Sequence, residues 1–389
     1  MSQLKVNTIR HTGASSDAVT LASDGTCTAK ITNNLSNRNL IINGAMQVAQ
    51  RGTSITAEGY VCDRWRTAYA NLDEAPTTTQ HALTSSDTGP WAEGFRYSTH
   101  VQNGNQTSGA GASDYLIHEY RMEAQDLANS GWDYTSASSY ITLSFWVKSS
   151  VAQNFYGYLR SYDGTQQLYC FETGSLSANT WTKITKKIPG NSNIQIDNNN
   201  DAGMEISFAQ WWGGTWTNNN SLNTWAAFDT NNRTPDQTST WFTTNDATFE
   251  LTGVQFEVGD VATNFEHRPY DYELRRCQRY YFRQADGLNK SIGVCVMYDD
   301  NNIFPQVPFP VTMRTTPTLD VADGTSYFRV YSSTSSDNFD TFSSIWNAQP
   351  NCAGLNAYSA DGVSGRTVGH SGMLITQHNS AYLAFSAEL

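Results

Sequence analysis

The sequence predicts an all-β chain, an N-terminal arm followed by two sandwich-like bodies. Three observations carry this. Tyr, Trp and Phe make up 12% of the 389 residues while charged residues supply only 15%, a balance that suits half-buried pleated surfaces. Short runs alternate apolar and polar residues and are separated by Gly-, Asn- and Ser-rich turns, the rhythm of a sandwich or barrel. Helical patterning is confined to residues 123–129 and 270–277, about two turns each at 3.6 residues per turn.

In residues 1–38, strands at 19–21 and 26–31 flank Asp24-Gly25, a hairpin turn pair. Hairpins this short are marginal in water, so the arm is expected to rest on copies of itself or on a docking protein. Residues 39–268 are expected to form the first sandwich. In the run 140–147, Ile141, Leu143, Phe145 and Val147 share one face, and 154–162 and 181–188 read as further strands. Between Thr248 and Val258 the apolar phase slips from odd to even positions, which predicts a β-bulge at Thr252-Gly253.

Residues 269–287 break the strand rhythm and read as a junction with a short helix opened by Pro269. Arg268, Arg275, Arg276, Arg279 and Arg283 cluster there and are expected to make salt links between domains or subunits. Residues 288–389 return to strands, at 291–297, 326–331, 373–377 and 382–385, and are expected to form a smaller β-sandwich. Pro305, Pro308 and Pro310 should confine their stretch to an edge or a connector, because proline cannot donate to a central ladder. No fixed-period repeat is visible, which counts against a β-helical spike.

Composition excludes several function classes. A net charge of −12 argues against nucleic acid as a partner, since that affinity comes largely from Lys and Arg on phosphates. No run of about 18 apolar residues occurs, so membrane insertion is not expected, and the first residues lack an apolar signal segment. Cys27, Cys62, Cys170, Cys277, Cys295 and Cys352 are scattered without metal-ligand or disulfide spacing and read as buried free thiols. Asp197-Asn-Asn-Asn-Asp201 opens like a calcium loop, but Ala202 stands where the pattern needs glycine and Phe208 where it needs a carboxylate. An ordinary polar turn is expected, with no metal and no cofactor. The seven histidines are dispersed and no Gly-x-Ser-x-Gly or His-Glu-x-x-His appears, so no enzyme is expected; Asp114, Glu119 and Asp163 read as solvated or turn residues.

Two sets of residues stand out as candidate glycan or partner contacts. Trp211, Trp212, Trp216 and Trp225 lie in a Gly- and Asn-rich stretch that reads as an aromatic-polar loop, able to stack on sugars, to anchor a partner, or simply to cover the sandwich. Trp346, Tyr358 and His370 sit in Gly- and Ser-rich surroundings expected to form loops of a distal tip, where binding residues concentrate.

The run Asn39-Leu-Ile-Ile-Asn-Gly-Ala-Met-Gln-Val-Ala-Gln-Arg-Gly52, with Asp63-Arg64-Trp65 after it, resembles the arm-to-body segment of virion appendage proteins of tailed bacteriophages, chiefly tail fibres. Residues 262–266 with Arg276-Cys-Gln-Arg-Tyr-Tyr281, then Phe309-Pro-Val-Thr-Met-Arg314 with Pro317, and Phe385-Ser-Ala-Glu388 resemble the same family. The rhythm of 141–148, 181–184 and 251–259 is similar to jelly-roll modules of the carbohydrate-binding type. The resemblance implies a central jelly-roll β-sandwich in a virion fibre, a homotrimer that docks on other virion proteins through residues 1–38. Such a fibre would attach to a host-surface glycan or receptor through many weak contacts. A capsid-attached fibre or decoration protein, a polysaccharide-degrading tailspike and a free carbohydrate-binding module are the alternatives.

Overall fold

A computed structural model describes residues 5–15, 17–25, 27–29, 37–218, 220–299, 302–333, 335–358 and 367–389, with backbone alone at 27–29, 344 and 358. The arm is a three-stranded antiparallel meander of β1 (Thr8–Ile9), β2 (Val19–Leu21) and β3 (Cys27–Ala29). Thr26, Lys30 and Ile31 of the anticipated strand lie outside the described residues. Ile9 is 56% exposed and Leu21 39%, so these apolar side chains of the meander stay open to solvent among the described residues.

The first body holds β4 (Ser54–Ile55), β5 (Gly59–Tyr60), β6 (Trp65–Ala70), β7 (Thr77–Ala82), β8 (Tyr97–Gln102), β9 (Tyr115–Glu123), β10 (Tyr140–Ser149), β11 (Asn154–Ser161), β12 (Gln167–Ser175), β13 (Thr182–Pro189), β14 (Ala202–Trp212), β15 (Trp225–Ala227) and β16 (Thr248–Val258). They form a six-stranded sheet, β13-β10-β16-β8-β7-β4, facing a seven-stranded sheet, β15-β12-β11-β14-β9-β6-β5. This is the anticipated jelly-roll sandwich. Period-two alternation puts Ile141, Leu143, Phe145 and Val147 wholly inside, with Phe145 4.9 Å from Phe208 of the facing sheet. His118, also inward, stacks on Trp65 at 5.4 Å and bonds Thr67 Oγ1 at 3.2 Å. Burial lowers its pKa to about 3.

Of three helices, α1 (Ala124–Ala128), α2 (Thr240–Thr243) and α3 (Tyr270–Gln278), the second was not anticipated, because a single turn offers no periodicity to read. Pro269 caps α3 rather than occupying its first turn.

The bulge falls where the phase slip placed it. Ser144 faces Gln255 and Trp146 faces Thr252, so Gly253 and Val254 share one position opposite Phe145. Gly253 takes φ +63°, and a Cβ there would lie 2.7 Å from the Phe95 ring. Before the bulge β16 pairs with β8; beyond it, residues 39–44 take over that edge. Leu40 N donates to Phe256 O and Val254 N to Gly44 O, each at 2.9 Å. Asn39 Nδ2 donates to Val254 O at 3.1 Å while its Oδ1 accepts from Phe256 N at 3.0 Å.

Asn43, fully buried at φ 59°, is a hub for the same segment. Its amide nitrogen donates to the carbonyls of Val48 and Asp63 at 2.9 and 3.0 Å, and its Oδ1 accepts from Val48 N at 3.0 Å. Its carbonyl accepts from the Trp65 indole at 3.2 Å, and its backbone N–H donates to Glu273 of α3.

The second body has its own core. Strands β17 (Tyr281–Asp286), β18 (Ser291–Met297), β19 (Ile303–Pro308), β20 (Thr318–Val321), β21 (Phe328–Ser332), β22 (Ser335–Phe339), β23 (Thr341–Gln349), β24 (Cys352–Tyr358), β25 (Ser371–Thr376) and β26 (Tyr382–Ser386) form the sheets β17-β26-β20 and β22-β21-β25-β18-β19-β24-β23. The proline expectation is corrected here, since β19 lies inside the larger sheet. Its first half, through Pro305, pairs with β18, and its second half, through Pro308, with β24. Each half leaves one side unpaired, and that accommodates residues without an N–H.

The two bodies meet through buried ions. The Arg64 guanidinium lies 3.5 Å over the Tyr280 ring and pairs with Glu388, which also takes Arg51 at 3.1 Å. Glu123 accepts from Arg279 Nε and Tyr280 OH, both at 2.6 Å. Arg314 donates to the carbonyls of Ala387, Glu388 and Asn200. Of the five junction arginines, Arg268 pairs with Glu266 and Glu273, Arg279 with Glu123 and Arg283 with Asp286, whereas Arg275 and Arg276 make no ion pair among the described residues. Cys62, Cys170, Cys277 and Cys295 are buried free thiols as expected; Cys352 is only half-buried, and the Cys27 side chain is not described.

Glu388→Ala should lower the unfolding free energy by about 3–5 kcal/mol, because it strands the buried Arg64 charge. Lys187→Ala, at the exposed pair with Asp260, should cost under about 1 kcal/mol; urea unfolding of the two variants checks the contrast. His118 stays neutral in the fold while the unfolded chain protonates near pH 6.5, so its contribution is present above that pH. Stability should therefore fall as pH drops from about 6.5 to 3, at up to about 1.4 kcal/mol per pH unit. In His118→Phe, melting temperature against pH should lose part of that slope.

Candidate functional site

The outer faces of the two central sheets differ. On the six-stranded sheet, loops cover the pleat: Trp146 donates to Glu93 at 3.1 Å and packs on Gly89, and Gln255 and Glu257 are sealed beneath residues 263–266. The outer face of the seven-stranded sheet instead carries an aromatic end and a charged end, set by the register of its central strands.

At the aromatic end, Trp212 and Tyr115 are paired across β14 and β9, their rings stacked at 4.8 Å. The segment after β14 brings Trp216 to 5.9 Å from Trp212, fixed by its indole N–H on Ser113 O at 3.2 Å. Residues 228–233 then fold back, placing Arg233 4.6 Å over Trp212 and Phe228 3.8 Å from the Arg160 guanidinium. Ala68, Ile117 and Ala209 are the sheet residues beside these rings. The Trp212 indole N–H and the Thr234 hydroxyl are buried without a hydrogen-bond partner among the described residues, donors and acceptors that ordered water or a ligand hydroxyl would satisfy.

At the charged end, Glu119 of β9 and Glu205 of β14 are diagonal neighbours. Glu119 Oε1 accepts from Arg66 at 2.8 Å and from Arg121 at 3.2 Å. Arg121 Nε also lies 3.6 Å from Glu205, to which Tyr162 OH donates. Burial, and then the Glu205 charge, raises the Glu119 pKa; burial and Glu205 likewise raise Tyr162. A raised carboxyl beside a second carboxylate is a feature of general-acid sites, but here both carboxylates are engaged by Arg121.

The structure distributes the anticipated residues unevenly. Trp212 and Trp216 come together on this face. Trp211 does not: it and Trp212 end a strand rather than lying in a loop, so consecutive side chains point to opposite faces, and Trp211 packs inward on Phe242 at 5.2 Å. Trp225 belongs to short strand β15, buried against Tyr169 with its indole on Pro189 O at 2.7 Å. Trp346 lies on a strand, not a loop. Its ring is 5.0 Å from Phe304, which is 4.7 Å from Tyr298. Val294 (68% exposed), Val296 and Met373 continue this apolar strip across neighbouring strands of the second body. His370 is exposed in a turn; Tyr358 ends β24 opposite Thr341, and its side chain is not described. Asp114 closes a turn on Gly111 N and Asp163 accepts from Asp197 N, so neither joins Glu119. No group of three His, Cys, Asp or Glu side chains placed to hold a metal occurs among the described residues.

Sequence reading missed Tyr115, Phe228, Arg160 and Arg233. Alternation in 115–121 marks Tyr115, Ile117, Glu119 and Arg121 as one face, a legible signal; the return of residues 228–233 over the sheet is tertiary and leaves none.

No protein-family model matches the chain, and no curated protein matches it. Among solved structures it is similar to the enzymatically active domain of tailspike protein 4 of bacteriophage CBA120, at 11% identity and TM-score 0.32, over 57% of this chain and 21% of that one. It thus spans about a fifth of that domain's length. It is also similar to the family 11 carbohydrate-binding module of Clostridium thermocellum in complex with a mixed-linked tetrasaccharide, at 14% identity, TM-score 0.24, over 55% and 97% of the two chains. A tandem pair of family 22 modules from Paenibacillus barcinonensis is 8% identical, TM-score 0.27, over 93% and 100%. These are likenesses of layout alone.

Trp211→Ala should destabilise the protein by about 3–5 kcal/mol by opening a cavity in the core, whereas Trp216→Ala, half-buried on the outer face, should cost far less. Chemical denaturation of both variants measures the difference.

Proposed function

We propose that this chain is a non-enzymatic fibre subunit of a tailed-phage virion that binds a host-surface glycan on the outer face of its seven-stranded sheet. The observation that carries the glycan reading is Tyr115, Trp212 and Trp216 gathered at one end of that face, beside planar polar side chains. Aromatic faces stack on the apolar faces of sugars, and guanidinium and carboxylate groups match pairs of hydroxyls. The engagement of Glu119 and Glu205 by arginine supports binding over hydrolysis, since a general acid must be free to give up its proton to the leaving group. The arm-to-body run 39–52 with Asp63-Arg64-Trp65 supports the virion reading by its resemblance to phage appendages.

Self-association is part of the proposal, with a homotrimer as the expected assembly. It is supported by the exposed Val6, Ile9 and Leu21 of the arm and by the exposed strip from Met373 to Trp346, since contiguous apolar patches mark interfaces. Residues 1–38 would dock on other virion proteins, at the tail or on the capsid, and repeated copies would gain avidity from effective concentration.

The test is glycan-array binding by the intact protein, with Trp216→Ala and Tyr115→Ala expected to lose about 1–3 kcal/mol of affinity each, by analogy with aromatic stacking on other flat ligands. Absence of binding to any host-surface glycan overturns the glycan reading. Release of reducing ends from the same polysaccharide would favour a degrading tailspike instead, and light scattering that returns a monomer mass would remove the trimer.

A further inference from the structure

We infer that the sheet face selects an anionic glycan, one whose sugars carry a carboxylate or a phosphate or sulfate ester; this rests on the glycan-binding reading above. The basis is a pair of half-buried arginines that form no ion pair among the described residues: Arg233 over Trp212 at the aromatic end, and Arg160 toward the charged end, opposite Glu205 in the register of β11 and β14, the two bridged by the Phe228 ring. Arg160 directs Nε and one terminal nitrogen to the neutral Gln166 Oε1, at 3.0 and 2.7 Å. Arg233 uses Nε on the Thr230 carbonyl at 3.2 Å. The remaining terminal nitrogens, one on Arg160 and both on Arg233, make no hydrogen bond among the described residues, and neither side chain forms an ion pair there.

The chain has acid to spare. Its net charge is −12, and the two other arginines of the face, Arg66 and Arg121, are paired with Glu58, Glu119 and Glu205. Asp236, in the same returning segment as Arg233, is exposed and accepts from Thr217 Oγ1 at 2.7 Å instead. Both free guanidiniums rest on aromatic rings, Arg160 3.8 Å from Phe228 and 4.7 Å from Tyr162, Arg233 4.6 Å from Trp212. Such stacking orients a guanidinium and leaves its edge N–H groups available. Two oriented forks beside a stacking platform fit an anion that accepts bidentate bonds while its sugar ring lies on Trp216 or Tyr115. A neutral sugar would use the rings and leave the unbonded terminal nitrogens of both arginines without an anionic acceptor.

The experiment titrates the intact protein with a polyuronate oligosaccharide, with its carboxyl-reduced neutral counterpart and with a sulfated counterpart, at low and high salt. The expected result is at least about tenfold tighter binding of an anionic member at low salt, the preference shrinking as salt screens it. Arg160→Gln and Arg233→Gln should each cut that preference to about threefold or less, with melting temperatures near wild type, while Lys187→Gln on the other sheet leaves it intact. The polyuronate and sulfated arms decide which anion is preferred. Equal affinity for charged and neutral members, or an anionic preference that survives both arginine substitutions, overturns this inference and leaves the glycan reading standing. No binding to any glycan, charged or neutral, on the array or in these titrations overturns both.

Discussion

The architecture depends on how one buried guanidinium is neutralised. Arg64 is almost inaccessible, with Glu388 as its ion-pair partner and the Tyr280 ring beneath it. Those three residues come from the start of the first body, from the end of the second, and from the junction between them. An unpaired charge at that depth would be worth several kcal/mol against folding, so the pairing is available only when all three segments have arrived. Asn43 enforces the same convergence by hydrogen bonding, tying residues 48 and 63 to Glu273 of α3. The two cores are separate in their apolar contacts, yet this polar knot makes their docking specific.

That reading changes the meaning of the phage-like motif. Asn39, Asn43, Asp63, Arg64 and Trp65 close the sandwich and seat the second body. The surface proposed to bind glycan is the outer face of the seven-stranded sheet, which the motif enters only at Trp65, a core residue at the start of β6.

Much of the fold was legible because strands write their burial in alternation. Residues 140–147 announced their inner face, and the odd-to-even slip in β16 located its bulge, since a pleat has no other way to lose phase. The site was less legible for the same reason. Trp211 and Trp212 look equivalent in sequence, but a strand sends adjacent side chains to opposite faces, one into the core and one toward the aromatic end. Gly213-Gly214 after them suggested a loop from residue 210 onward, whereas the strand runs on through Trp212. Arg233 reaches the face only by a chain reversal, and Pro305 and Pro308 enter a sheet interior only because β19 changes partner halfway. Both depend on contacts that no local pattern encodes.

The seating of residues 38–43 has a mechanical side. For a fibre of the proposed kind, held at its arm by a particle and at its sheet face by a cell, tension enters the body at Arg38. There it meets bonds to three separate stretches of chain: Arg38 on Thr263 and Glu257, Asn39 on Val254 and Glu266, Asn43 on Glu273. A pull is shared among strand, loop and helix before any one contact gives way, and only then passes on to the sheet.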